Sequence, residues 1–216
     1  ITPPVTHLEL AYQALEAGKH VICEKPLTGY FGEEDEEEPI GLTVPKVKMY
    51  ESLLKDIDEC RARFEASNVL FMYAENYVYS PNILRSAEII EAKKSKIMYM
   101  KGEESIRSST SPASAHWSLA GGGSLIRLGS HPIGGMLFLK EREARARGEE
   151  IGIQSVTAET ARLAPNLNEH DKRYFPAKSV DTEDFATIII TFTDGTKAIS
   201  ISNDNTLGGV KNYVEV

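Results

Sequence analysis

The sequence predicts an α/β segment followed by a mostly antiparallel sheet with a few helices. Three observations predict it. A helix-spaced apolar pattern stops at Gly18 and runs at once into the short β-branched run His20-Val21-Ile22-Cys23, the helix-then-strand order of a parallel sheet. The second half holds three strand-like runs, Ser155 to Leu163, Asp184 to Phe192 and Lys197 to Ser202; Asp194-Gly195 joins the last two as a hairpin turn. The character changes between Ala74 and Pro81, so the predicted division is 1–78 and 79–216.

Thr6-His7-Leu8-Glu9 has the form of a capping box. Leu8, Ala11, Tyr12 and Leu15 then repeat at helical spacing, and Gly18 suits the C′ position. The strand after it reads as buried and delivers Glu24-Lys25-Pro26 at its carboxyl end. Residues 33–44 read as an acidic insertion. Its run from Glu33 to Glu38 is predicted to be a solvated, mobile loop, because adjacent acids there have no fixed geometry for a metal. Pro45 opens a long helix with Val47, Tyr50, Leu53, Leu54, Ile57, Cys60 and Phe64 along one face. Val69 to Tyr73 is the next strand. Pro81 suits the first position of another helix, with Ile83, Leu84, Ala87 and Ile90 facing inward. Ile97 to Met100 reads as a strand and Ser108 to Ser118 as a loop. Gly121-Gly122-Gly123 precedes an apolar helix through about Leu139, and the charged stretch Lys140 to Glu150 is predicted to be exposed.

In the strand Asp184 to Phe192, Ala186, Ile188, Ile190 and Phe192 share one face, and Phe185 and Ile189 lie on the other. A second apolar face predicts a homo-oligomer, a dimer or tetramer, through the open sheet.

Composition narrows the functional classes. The chain has 216 residues, 41% hydrophobic and 26% charged, enough for a real core. A net charge of -8 argues against nucleic acid and anionic membranes as partners. No apolar run approaches the roughly 18 residues of a membrane span, and the start is not a signal peptide. Two cysteines, Cys23 and Cys60, form no disulfide scaffold and have no metal-ligand spacing. The expected compartment is the cytoplasm, and no metal is expected.

Thr2-Pro3-Pro4, His7, the segment Ala14 to Val21 and Glu24-Lys25-Pro26-Leu27 together resemble the Gfo/Idh/MocA oxidoreductases (glucose–fructose oxidoreductase, inositol dehydrogenase and relatives). The resemblance continues through Ala74-Glu75-Asn76, Tyr79 and Pro81, then Gly121 to Leu125 and Gly129-Ser130-His131. It implies the C-terminal portion of a Rossmann domain followed by an open-faced α/β domain. It also implies NAD or NADP as cofactor and a small sugar, cyclitol or other polyol as substrate. In that frame the glycine-rich phosphate turn is expected before Ile1, and the family's last strands after Val216.

Lys25, just past a strand where open α/β sheets place ligands, is the first candidate for proton transfer with the substrate hydroxyl. His131 by itself reads as a core or helix-face histidine; the resemblance makes it a second acid/base. Thr2, Pro3, Glu24, Lys25 and Pro26 are the expected cofactor contacts. Asn76, Tyr79, Trp117, Arg127 and His131 are the expected substrate contacts, Trp117 by stacking on a sugar face. Arg127 departs from the family, many of whose members carry Asp there. Its four-residue spacing from His131 puts both on one helix face. Arg127 therefore clamps an anionic or oxygen-rich substrate group, leaves Lys25 as the lone acid/base, or forms a structural ion pair. The departure also admits an NAD-dependent glycosidase or lyase that oxidises its sugar transiently. A non-catalytic sensing or assembly subunit is the third reading.

Overall fold

The computed structural model describes residues 2–175 and 179–216. Helix α1 (His7–Glu16) leads through Gly18, at φ 67°, to strand β1 (Val21–Glu24). Thr6 does not complete the capping box: its hydroxyl donates to the Pro3 carbonyl at 2.9 Å and leaves the helix N–H groups uncapped. A short helix α2 (Ile40–Thr43) and the long α3 (Lys46–Glu65) follow, then β2 (Phe71–Ala74). β2 pairs parallel with β1, Val21 opposite Phe71 and Glu24 opposite Ala74. Ala11, Cys60 and Phe64 form the core between α1, α3 and this pair.

The apolar faces are only partly covered. In β1 only Cys23 is buried, and Ile22 is 72% exposed. On α3, Met49, Cys60 and Phe64 are buried, but Val47, Tyr50, Leu54 and Ile57 are exposed. A two-stranded sheet offers too little surface to bury both, and no other described element lies over them.

The acidic run is anchored rather than free. Lys48 in the first turn of α3 bridges Glu33 and Glu36, each at 2.7 Å, and the Tyr30 hydroxyl donates to Glu36 at 2.6 Å. One cation facing two of the acids overcomes the mutual repulsion that favours a loose loop. Among the described residues no cluster of His, Cys, Asp or Glu could hold a metal.

The rest of the chain runs through α4 (Pro81–Lys93), β3 (Tyr99–Ser105), α5 (Trp117–Ala120), α6 (Ser130–Arg147), β4 (Ile153–Ala161), α7 (Glu169–Lys172), β5 (Phe185–Phe192), β6 (Lys197–Asn203) and β7 (Lys211–Glu215), and its five strands form a second sheet. Its order is β4-β5-β6-β3-β7, with β3 parallel to β6 and every other pair antiparallel. α4 and α6 cover one face over a core of Met100, Met136, Leu139, Ile188, Ile190 and Phe192. Leu84, expected inward, is 39% exposed. On the open face Ile189 is 41% exposed; Val156, opposite the buried Ile190, lies on the helix side at the sheet edge and is 54% exposed.

Two features escape the sequence pattern. β7 is an edge strand with Lys, Asn and Glu among its five residues; its place comes from backbone pairing with β3, not from apolar alternation. α6 runs to Arg147, well past Leu139, and buries Lys140 and Glu143, which were expected to be exposed. The triple glycine has a steric cause: a Cβ at Gly123 would stand 1.9 Å from the Glu183 carbonyl oxygen. Among the described residues no helix is long and apolar enough to cross a membrane.

Candidate functional site

Lys25 follows the last residue of β1, in a turn closed by Pro26. The buried His7 ring ties this turn to the N-terminal loop. Its Nδ1 lies 2.7 Å from the Pro26 carbonyl oxygen and its Nε2 3.2 Å from that of Thr2. Thr2 is therefore brought beside the Lys25–Pro26 turn.

The Lys25 ammonium donates to the backbone carbonyl of Arg127. That carbonyl sits in a π-helical turn, Leu125–Gly129, just before α6. Pro132 has no N–H, so a carbonyl in the preceding turn lacks its helical donor. Burial pushes the Lys25 ammonium below the ordinary lysine pKa; Glu104 and Glu75 oppose the shift, and Arg127 adds to it.

His131, at the second position of α6, presents Nδ1 to Glu75 Oε1 at 2.6 Å. Glu75 follows β2, and the same oxygen accepts the Tyr77 backbone N–H at 3.1 Å. Burial raises the Glu75 pKa, but His131 and the Tyr77 N–H outweigh it and the net shift is downward. A carboxylate just after β2 thus orients the imidazole on α6, in place of the Asp that position 127 lacks.

A cleft of about 380 Å³ opens beside this pair, lined by Asn76, Tyr77, Tyr79, Ser80, Glu104, His131 and Asn212. Glu104 was not anticipated. It shares the helix-facing side of β3 with Met100 and Gly102, and a Cβ on Gly102 would stand 2.6 Å from Pro132, next to His131. Burial raises its carboxyl pKa; His131, Lys25 and Arg127 oppose this and Glu75 reinforces it. A carboxylate in step with core-facing residues was the available signal, but the strand was read as ending at Met100.

Two expected substrate contacts lie elsewhere. The Arg127 side chain pairs with Asp204, whose carboxyl burial pushes up to about 6 against the pull of the guanidinium. Four-residue spacing shares a face in an α-helix, but the wider π turn rotates Arg127 away from His131. Trp117 packs with Tyr30, Ile40, Val44 and Met49, under the Lys46 ammonium at 4.2 Å. A Ser-rich loop looked open in sequence, but the indole fills the gap between that loop and α2. Asn76 and Tyr79 do line the cleft, and Tyr77 belongs to the core.

Residues 1–36 match the GFO_IDH_MocA model, described as an oxidoreductase family with an NAD-binding Rossmann fold. Over 138 residues the chain is 32% identical to levoglucosan dehydrogenase of Pseudarthrobacter phenanthrenivorans, 61% of this chain and 30% of that protein. The chain is thus similar to oxidoreductases of the Gfo/Idh/MocA type, most clearly over residues 1–36. A solved levoglucosan dehydrogenase with NADH and levoglucosan matches 99% of this chain and 48% of its own, at 25% identity and TM-score 0.66. GenD2 from gentamicin A biosynthesis, solved with NAD, shares the fold at TM-score 0.68 and 22% identity, over 99% of this chain and 49% of its own. The chain spans about half the length of these solved relatives.

Proposed function

We propose that this chain is part of an NAD(P)-dependent dehydrogenase acting on a hydroxyl-bearing carbon of a sugar, cyclitol or related polyol. The carrying observation is that the half-buried Lys25 ammonium, at the carboxyl end of a parallel strand, stands close enough to the Glu75–His131 pair for Glu75 to act on its charge. The described residues fit the reactive end of a dinucleotide: His7 holds the Thr2 loop against the Lys25 turn, so both can flank one ring. A bound nicotinamide supplies the hydride acceptor.

The chain's own residues handle the proton and the orientation. Neutral Lys25 accepts the substrate hydroxyl proton, and its hydrogen bond to the Arg127 carbonyl fixes where the nitrogen points. His131, held by Glu75 through Nδ1, leaves Nε2 to bind the same oxygen or a neighbouring one. The division near residues 78 and 79 then separates cofactor-facing from substrate-facing parts, with Asn76 and Tyr79 at the junction. The open sheet face, with Ile189, Ile199 and Ile201, makes the protein a homo-oligomer; light scattering on the intact protein should give a dimer or tetramer mass. The transient-oxidation alternative rests on the departure at Arg127, whose side chain pairs with Asp204, and net formation of reduced cofactor separates the two readings.

The deciding assay is reduction of NAD or NADP by the intact protein across a panel of neutral sugars and cyclitols. Net NADH or NADPH formation supports the proposal, and none with any member sinks it. Glu75→Ala should lower kcat about 10²-fold, the scale of a misplaced catalytic group, with cofactor affinity unchanged. Unchanged kcat would remove Glu75 from the site.

A further inference from the structure

Resting on that reading, we propose that Glu104 selects the substrate: it accepts a hydrogen bond from a second hydroxyl of a neutral polyol and turns away sugar acids. Glu104 lines the cleft beside His131, and its Oε2 is buried without a hydrogen-bond partner. A buried carboxylate oxygen lacking a donor is costly, and a ligand that brings one recovers that cost. An ionised carboxylate only accepts, so the matching group is a donor, and a hydroxyl is the donor a neutral polyol carries.

Charge points the same way. Among the described residues lining the cleft there is no lysine or arginine. Arg127, the nearest guanidinium in sequence to His131, is occupied by Asp204. Lys25 is committed to the Arg127 carbonyl and to proton transfer. A substrate carboxylate would therefore meet Glu75 and Glu104 with no free cation of its own, in a partly desolvated place where like charges repel strongly. Position 127, which in sequence suggested an anionic substrate, leads to the opposite conclusion once its side chain is placed.

The test compares binding of neutral hexoses with that of their own uronic acids, D-glucose with D-glucuronate and D-galactose with D-galacturonate, by calorimetry on the intact protein saturated with NADH. The wild type should bind at least one neutral sugar about tenfold or more tighter than its acid, and Glu104→Gln, which keeps the shape and an acceptor oxygen but removes the charge, should shrink that ratio to about threefold or less. A preference for the acid, a ratio unchanged in Glu104→Gln, or no binding of any neutral sugar would overturn the inference. Binding preference without turnover would sink the dehydrogenase reading and leave the role of Glu104 standing; turnover of the acids would do the reverse.

Discussion

Lys25→Met is expected to lower turnover about 10²–10⁴-fold while the dinucleotide still binds, because the exchange keeps the length of the side chain and removes only its proton-carrying group. Burial is the largest influence on the Lys25 ammonium and moves it below its ordinary value of 10.5. Oxidation of a hydroxyl needs the neutral amine. Activity should therefore rise with pH along a limb centred below 10.5, and Lys25→Met should lack that limb. The same shift has a consequence for stability. With the folded-state pKa below that of the unfolded chain, the unfolded chain holds more protons between the two values, and stability falls as pH drops through that window. Removing the charge should hold or raise Tm at neutral pH, which separates lost chemistry from a lost fold. Steady-state rates, NADH fluorescence titration and a melting curve measure all three. Turnover near wild type would remove Lys25 from the mechanism.

Lys25 was legible because its signal is local: a helix stop, a four-residue strand and a proline-closed turn are adjacent in sequence. The antiparallel β5–β6 hairpin was legible for the same reason, through Asp194-Gly195 and strict alternation from Ala186 to Phe192. What stayed hidden depends on distant partners. Glu75 meets His131 across 56 positions, and Arg127 meets Asp204 across 77. The π turn that redirects Arg127 leaves no periodic trace in five residues, although Pro132 marks where helical bonding must fail. Trp117 opens α5 after a loop whose composition says exposed, but its cavity is built by Tyr30, Ile40 and Val44, from a segment that precedes it by some eighty positions. The strand β7 carries polar residues, so only its pairing with β3 reveals it.

Lys140 is the sharpest case of a charge pattern that misleads, and its removal should have the largest effect on stability. The stretch after Leu139 reads as a solvated helix end, but Lys140 is 2% and Glu143 0% exposed. Lys140 Nζ reaches Glu143 at 2.7 Å, Asp194 at 2.8 Å and the Thr196 hydroxyl at 2.7 Å, which satisfies its three donors and joins α6 to the β5–β6 turn. Lys140→Met is expected to cost about 3–5 kcal/mol, because Glu143 keeps its charge without its partner. For a chain of this size that lowers Tm by on the order of 10 °C. Lys140→Met combined with Glu143→Leu should recover most of the loss, since an apolar pair of similar volume often replaces a buried ion pair at little cost. Acid sensitivity should change too. Burial raises the Asp194 pKa, but Lys140 and Thr196 outweigh it and bring it to about 2. That depressed value contributes stability present above the ordinary carboxylate pKa of about 4 and lost as pH falls through about 2. Without Lys140 the acid unfolding midpoint should move to higher pH. Melting curves from neutral to acid pH on both variants measure this. A single variant as stable as wild type would show that Glu143 finds another partner, and failure of the double variant to recover would show that Lys140 is needed for the turn at Asp194 rather than for Glu143.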